Sequence, residues 1–120
     1  MVKILLVDDD PTIQKTTTNL AKLANVEIEV CGTGEDGLEA CKKSGDSFDF
    51  ILMDNYLPNM DGIQTTSEIR KLPNGGGFKI ILYSGDDYDD DFISSKKFDG
   101  FQKKPMSKKA FEEWTTKLKK

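Results

Sequence analysis

The chain contains no histidine. That one absence removes Ser-His-Asp and Cys-His catalysis together with the commonest metal ligand in proteins. A metal held here would have to be bound through oxygen, which points to Mg2+ or Ca2+ and away from zinc. Cysteine is almost as scarce. Cys31 and Cys41 fall in different expected elements and are expected as free thiols in a reducing compartment. Long apolar runs are missing too: the opening ILLV is soon interrupted by charge, so nothing resembles a secretory leader or a membrane span. Basic side chains are outnumbered, 17 against 21 acidic, for a formal net charge of −4. A nucleic-acid-binding domain would show a basic face instead. The expectation is a cytoplasmic domain with no direct contact to nucleic acid or membrane. Its 120 residues suit one domain over 1–120, with room for a modest core but none for a separate cap or substrate domain.

What the chain does have is a regular alternation of strand and helix signals. Lys3 to Val7 reads as a buried strand, and Pro11 opens a helix with Ile13, Leu20 and Leu23 on one face. Val26 to Val30 alternates apolar and acidic residues, the pattern of a half-exposed edge strand. Gly34 to Lys43 reads as a helix with Leu38 and Cys41 inward, and Phe48 to Met53 as a second buried strand. A loop from Asn55 to Gly62 leads to a helix carrying Ile63, Ile69 and Leu72, which Pro73 stops. Asn74-Gly75-Gly76-Gly77 is the most flexible-looking stretch. Phe78 to Tyr83 reads as a strand, Asp86 to Lys97 as a weak helix, and Phe98 to Lys103 as a last short strand. The closing helix carries Phe111, Trp114 and Leu118 as a core stripe, with Lys117, Lys119 and Lys120 at its carboxyl end, where cations oppose the helix dipole. Five strands alternating with five helices specify an α/β fold, a doubly wound parallel sheet. An edge-like second strand beside buried first and third strands fits the flavodoxin-like order 2-1-3-4-5.

In that order the strands break off, along one edge, at residues able to do chemistry. ILLV runs into Asp8, Asp9 and Asp10, FDFILM into Asp54, KIILY into Ser84, and GFQK into Lys104. Open α/β sheets keep their ligand sites at the carboxyl ends of the strands. Like charges a few ångströms apart raise each other's pKa, and a bound divalent cation relieves that cost; carboxylates with room left for water favour Mg2+. Each segment also has a plainer reading. Asp8 to Asp10 before Pro11 suits a turn and helix cap, Ser84-Gly85 suits a turn, and Lys104 suits the surface. The cap reading leaves unexplained why Asp54 ends the neighbouring strand. Pro105 holds Lys104 in an extended segment, where its ammonium can reach an anion lying next to the metal. An anion flanked by Mg2+, a lysine and a hydroxyl is a phosphoryl group, with Asp54 the natural nucleophile beneath it.

These segments together resemble the receiver domain of two-component response regulators. LVDDD is similar to the family's acidic opening, LMDNYLPNMDG to its phosphoacceptor segment, IILYSG to its switch hydroxyl, and FQKKP to its aromatic and lysine-proline pair. The resemblance implies that Asp54 receives a phosphoryl group from a histidine kinase or histidine phosphotransfer protein. It further implies that Asp9 and Asp54 bind Mg2+ directly, Asp8 mainly through water, and the Tyr56 carbonyl as a further ligand. Lys104 would pair with the phosphoryl oxygens, Ser84 would move to bond one of them, and Phe101 would turn inward behind it. The surface built from residues 86 to 119 would then change shape, a two-state switch biased by one charged group. Tyr56 and Asp86 occupy the positions that flank the hydrolytic water in the family, so bulky Tyr56 is expected to slow self-dephosphorylation.

Departures from the family pattern are mild. Leu57 stands where methionine is frequent, Ser84 where threonine is, Phe101 where tyrosine is, and Gly85 where alanine is. The run Asp86, Asp87, Asp89, Asp90 and Asp91 reads as a solvated helix start, or else as an electrostatic collar that draws Mg2+ in. Two rival readings stand beside the resemblance. Asp8-Asp9-Asp10-Pro11-Thr12 also fits the opening of haloacid-dehalogenase-type phosphatases, with Asp8 as nucleophile and Asp10 as acid, which leaves Asp54 unused. A receiver-like module working without phosphorylation would usually have lost an acid or the lysine, and here all are present. The sequence leaves open whether the chain acts alone, beside an effector domain, or as part of a hybrid sensor kinase or phosphorelay. It leaves open equally whether the chain is a monomer or a phosphorylation-dependent dimer.

Overall fold

Parallel strands buried on both faces read as unbroken apolar runs, and such runs form the middle of the sheet. A computed structural model describes residues 1–44 and 47–119; Lys120, expected at the end of the last helix, lies outside the described residues. The order along the chain is β1 (Lys3–Val7), α1 (Pro11–Leu23), β2 (Glu27–Cys31), α2 (Gly34–Ser44), β3 (Phe50–Met53), α3 (Gly62–Arg70), a 3-10 turn (Gly75–Gly77), β4 (Ile80–Ser84), α4 (Asp90–Ser95), β5 (Gly100–Lys103) and α5 (Lys108–Leu118). All pairings are parallel, in the expected order β2-β1-β3-β4-β5.

Alternate side chains on each central strand feed one of two apolar layers. Leu5, Val7, Ile51, Met53, Ile80 and Leu82 pack under Cys41 of α2, Ile69 of α3 and Ile93 of α4. Ile4, Leu6, Phe50, Leu52, Ile81 and Tyr83 pack under Ala21 of α1 and Phe111 of α5, with Trp114 and Leu118 alongside. Each fully buried aliphatic side chain stabilises by roughly 1.5–3 kcal/mol. A Leu6→Ala change would therefore cost about 2–5 kcal/mol. Side-chain caps begin the helices: Asp10 accepts from the Thr12 N–H, Asp61 from Gln64, Asp89 from Phe92 and Ser107 from Ala110.

The structure departs from the sequence expectations at element edges. Leu23 is 67% exposed. At about 100° per residue it falls outside the arc of α1 that holds Ile13, Thr17, Leu20 and Ala21. The edge strand begins one residue late, because the Val26 N–H turns back to the Ala21 carbonyl at 2.8 Å. Strand β3 begins after Asp49, whose carboxylate accepts the Lys3 N–H at 2.8 Å. Helix α4 shrinks to Asp90–Ser95 because the Asp89 side chain caps it at one end, while Lys97 ends it in the left-handed region at φ 70°. The glycine run is not open coil. Gly75 is buried, and a Cβ there would collide with the Ile69 and Arg70 carbonyls.

Candidate functional site

Strand register decides which side chains meet at the carboxyl edge. Val7 pairs with Met53, so the residues that follow, Asp8 and Asp54, leave the sheet side by side. The Asp54 N–H bonds the Val7 carbonyl at 2.9 Å. On the other flank Ser84 pairs with Lys103, and the Lys104 N–H bonds the Ser84 carbonyl at 2.9 Å. Asp8, Asp54 and Ser84 are buried, whereas Asp9 is exposed. Asp8, Asp9 and Asp54 each bring one carboxylate oxygen within 4.8 Å of the others.

The Lys104 ammonium is the counter-charge. Its Nζ lies 2.6 Å from Asp8 Oδ2 and 3.0 Å from Asp54 Oδ1. The Tyr83 ring lies 5.4 Å beneath it, and the Tyr83 hydroxyl is fixed by Thr17 Oγ1 and the Met106 N–H, each at 3.3 Å. Burial opposes the charge on Lys104, but its ion pairs with Asp8 and Asp54 outweigh burial and raise its pKa. Asp54 is raised above the ordinary carboxylate value by burial first and by the Asp8 charge second, against the pull of Lys104 and the Tyr56 N–H. Three carboxylates thus converge beside one ammonium.

That imbalance suits a hard cation. All the donors are oxygens, and Asp8 Oδ2, though held by the charge of Lys104, is a buried oxygen without an aligned hydrogen-bond donor among the described residues. The residues present thus fit Mg2+, with Asp8, Asp9 and Asp54 as the carboxylate ligands. Asp10 stays outside the crevice. Its side chain caps α1, accepting the Thr12 N–H at 2.8 Å, and it is not a member of the carboxylate cluster.

Tyr56, Asp86 and Phe101 are the remaining expected residues. Tyr56 is 64% exposed, and its hydroxyl donates to Asp86 Oδ2 at 2.5 Å. That carboxylate, with the neighbouring Tyr88, raises the phenol pKa. The Asp86 N–H donates to Ser84 Oγ at 3.2 Å. Phe101 is half-buried, its ring set edge-on to Tyr88 at 5.8 Å. The hollow lined by Gln102, Ala110, Glu113, Trp114 and Lys117 lies on the β5 and α5 side, away from the carboxylates.

Several supporting residues were not singled out from sequence. Gln14 Nε2 donates to the Asp8 carbonyl at 2.6 Å, Tyr83 underlies Lys104, and Asn55 Nδ2 donates to the Tyr88 hydroxyl at 3.0 Å. Gly62 lets the loop fold back: a Cβ there would strike the Asp54 carbonyl and stand 2.9 Å from Asn55 Cα. The usable signal for Gly62 was its place just after the Asp61 cap.

The chain matches the sequence model of the response regulator receiver domain over residues 4–114. It is 39% identical over 74 residues to the transcriptional regulatory protein CpxR homolog of Haemophilus influenzae, covering 62% of this chain and 31% of that protein. It is 35% identical over 99 residues to the histidine kinase CKI1 of Arabidopsis thaliana, covering 71% of this chain and 9% of that protein. The chain thus spans less than a third of either relative's length. Among solved structures it is similar to the receiver domain of the sensor histidine kinase PA1611 of Pseudomonas aeruginosa, which has magnesium in its cleft. The TM-score is 0.87 at 24% identity, covering 98% of this chain and 96% of that one. Among the described residues no helix is long and apolar enough to cross a membrane.

Proposed function

The chain belongs to the response regulator receiver domain family, and from that premise we propose that Asp54 is its phosphoacceptor. The supporting observation is the convergence of Asp8, Asp54 and Lys104, with Nζ 2.6 Å and 3.0 Å from the two carboxylates. A carboxylate oxygen of Asp54 forms the new P–O bond as the P–N bond to a donor imidazole breaks, and the electron pair returns to the imidazole nitrogen. Lys104 exchanges its contact with Asp54 for one with the transferred group, and the buried Ser84 hydroxyl turns from the Asp86 N–H toward it. Mg2+, held by Asp8, Asp9, Asp54 and the Tyr56 carbonyl, would offset the charge of the carboxylates and of the transferred phosphoryl group. Phe101 follows Ser84 inward, and the face from residue 86 to 119 changes shape.

The chain works as a switch that stores one phosphoryl group, folded as a single domain over 1–120 in the cytoplasm. Its donor is a histidine kinase or histidine phosphotransfer protein, and its output passes to an effector domain or a downstream protein without direct nucleic-acid contact. The same site serves a response regulator or a hybrid kinase, as its likeness to both CpxR and CKI1 relatives allows. The switched face is the surface on which a phosphorylation-dependent dimer would form from the monomer. Tyr56 and Asp86 tune the lifetime of the phosphorylated state. The test is intact mass after incubation with acetyl phosphate and Mg2+. One phosphoryl adduct is expected on the native chain and none on Asp54→Asn; equal labelling of both overturns the assignment.

A further inference from the structure

Two side-chain hydrogen bonds cross from the loop after β3 to the loop after β4, and neither is made by a phosphoryl-binding side chain. The Tyr56 hydroxyl donates to Asp86 Oδ2 at 2.5 Å, and Asn55 Nδ2 donates to the Tyr88 hydroxyl at 3.0 Å. Each leads onward to one of the two moving parts of the switch. Asp86 donates its own N–H to Ser84 Oγ at 3.2 Å. Tyr88 stacks on Phe92 at 4.6 Å and meets Phe101 edge-on at 5.8 Å.

The far end of α4 is anchored much more firmly. Arg70 donates to the Lys97 carbonyl at 2.8 and 3.1 Å and to Asp99 Oδ2 at 2.9 Å. It donates also to the carbonyls of Gly75 and Phe78 at 2.8 and 2.6 Å, and its side chain is only 14% exposed. A charged, half-sheltered network of this kind outlasts single hydrogen bonds between neutral or exposed side chains. The short α4, six residues long, is therefore fixed by charge at its carboxyl end, whereas its amino end carries the two crossing bonds, the packing of Tyr88 and Phe92 against the core, and one surface ion pair. That pair joins Lys103 to Asp87 at 2.9 Å; both side chains are more than half exposed, so it adds little.

Resting on the roles given above to Asp54 and Ser84, we infer that the Tyr56–Asp86 and Asn55–Tyr88 bonds form a latch. It holds residues 85–92 in the unphosphorylated position and sets how readily Ser84 is released toward a phosphoryl group. When Ser84 Oγ turns to Asp54, the Asp86 N–H loses its acceptor, and the loop bearing Asp86 must shift to find another. That shift breaks the Tyr56 bond, and the Tyr88 bond with it, since both anchors stand on one loop. The latch acts through two phenol hydroxyls, whereas shielding of the acyl phosphate by Tyr56 acts through its ring. Replacement by phenylalanine separates the two.

The experiment compares the native chain with Tyr56→Phe, Tyr88→Phe and the double variant, all free of metal and phosphoryl donor. Amide hydrogen exchange over residues 86–92 should quicken about threefold in each single variant and about tenfold in the double, the range expected for losing one exposed and one part-buried hydrogen bond. Exchange in β1 and α1 should not change. Beryllium fluoride with Mg2+, titrated by the fluorescence of Trp114, which bonds Gln102 of β5 at 2.8 Å, should bind the double variant more tightly by a comparable factor. Asp86→Asn keeps an oxygen for the Tyr56 hydroxyl and should exchange as the native chain does, while Asp86→Ala should exchange faster. Unchanged exchange in the double variant overturns the latch, and so does faster exchange without tighter beryllium fluoride binding. Because exchange is read on the unphosphorylated chain, it stands apart from the acetyl phosphate result, which tests Asp54 alone.

Discussion

Removing the Lys104 charge tests the electrostatics of the crevice without touching a carboxylate. Lys104→Met keeps most of the apolar stem and deletes the ammonium that lies 2.6 Å from Asp8 and 3.0 Å from Asp54. At an effective dielectric near 20 each attraction amounts to about 6 kcal/mol, and Asp8 and Asp54, within 4.8 Å of each other, repel by at least about 3 kcal/mol. Most of the gross attraction offsets the cost of burying the ammonium. Removing one member of such a cluster has a net cost of about 3–5 kcal/mol. Proton uptake limits the loss, which places the expected value near the lower end. Asp54 is already raised by burial and by Asp8, and a carboxyl raised above its unfolded value destabilises the fold at every pH above it. The variant should accordingly regain stability as pH falls from neutrality through the raised value. Mg2+ replaces the missing charge: at tenfold excess over its dissociation constant it stabilises by about 1.4 kcal/mol. It should stabilise Lys104→Met more than the native chain, because the repulsion between the ammonium and the metal is gone. Urea unfolding with and without Mg2+ reads both quantities. A loss below about 1 kcal/mol in metal-free buffer, with equal stabilisation of both proteins by Mg2+, would show that Lys104 is not the counter-charge of the two carboxylates.

Three further outcomes follow from particular contacts. Gly62→Ala drives a Cβ into the Asp54 carbonyl; a loss of about 2 kcal/mol or more is expected by urea unfolding, with slower labelling by acetyl phosphate. Cys31 is pushed up to about 11 and Cys41 to about 12, by burial first in each case. Their thiols ionise in the unfolded chain before the folded one, so stability is fully present below the unfolded value and falls as pH rises from about 8 to 10. The expected loss is about 1 kcal/mol per thiol; that part of the pH dependence should vanish in Cys31→Ala/Cys41→Ala. Tyr56→Ala strips the ring from the site mouth and should speed loss of phosphate from the labelled chain several-fold; an unchanged rate, followed by intact mass, removes the shielding role.

The centre of the sheet was legible because ILLV, FILM and IILY are unbroken apolar runs, each followed directly by a polar residue, and a parallel sheet places such ends together. Asp10 was legible as a cap because Pro11 follows it. Element edges were harder, since side chains set them: Asp49 takes the Lys3 N–H and delays β3, and Asp89 captures the Phe92 N–H and shortens α4. Hardest were partnerships between loops. The resemblance sets Tyr56 and Asp86 on either side of one site, but nothing in the local pattern shows that they bond or that Asn55 reaches Tyr88, because those bonds exist only once β3 and β4 lie side by side. Arg70 is the same case: its carbonyl partners come from the glycine turn and the end of α4, which no periodicity brings together.

If Asp54 is the phosphoacceptor, the phosphoryl group resides there and on no other acid of the cluster. Reducing the phosphorylated chain with borohydride converts an acyl phosphate to an alcohol, and peptide sequencing by mass spectrometry then locates the modified residue. Homoserine is expected at position 54, dependent on Mg2+ and absent from Asp54→Asn. Homoserine at position 8 or 9 of the native chain, with Asp54 unmodified, would contradict that assignment.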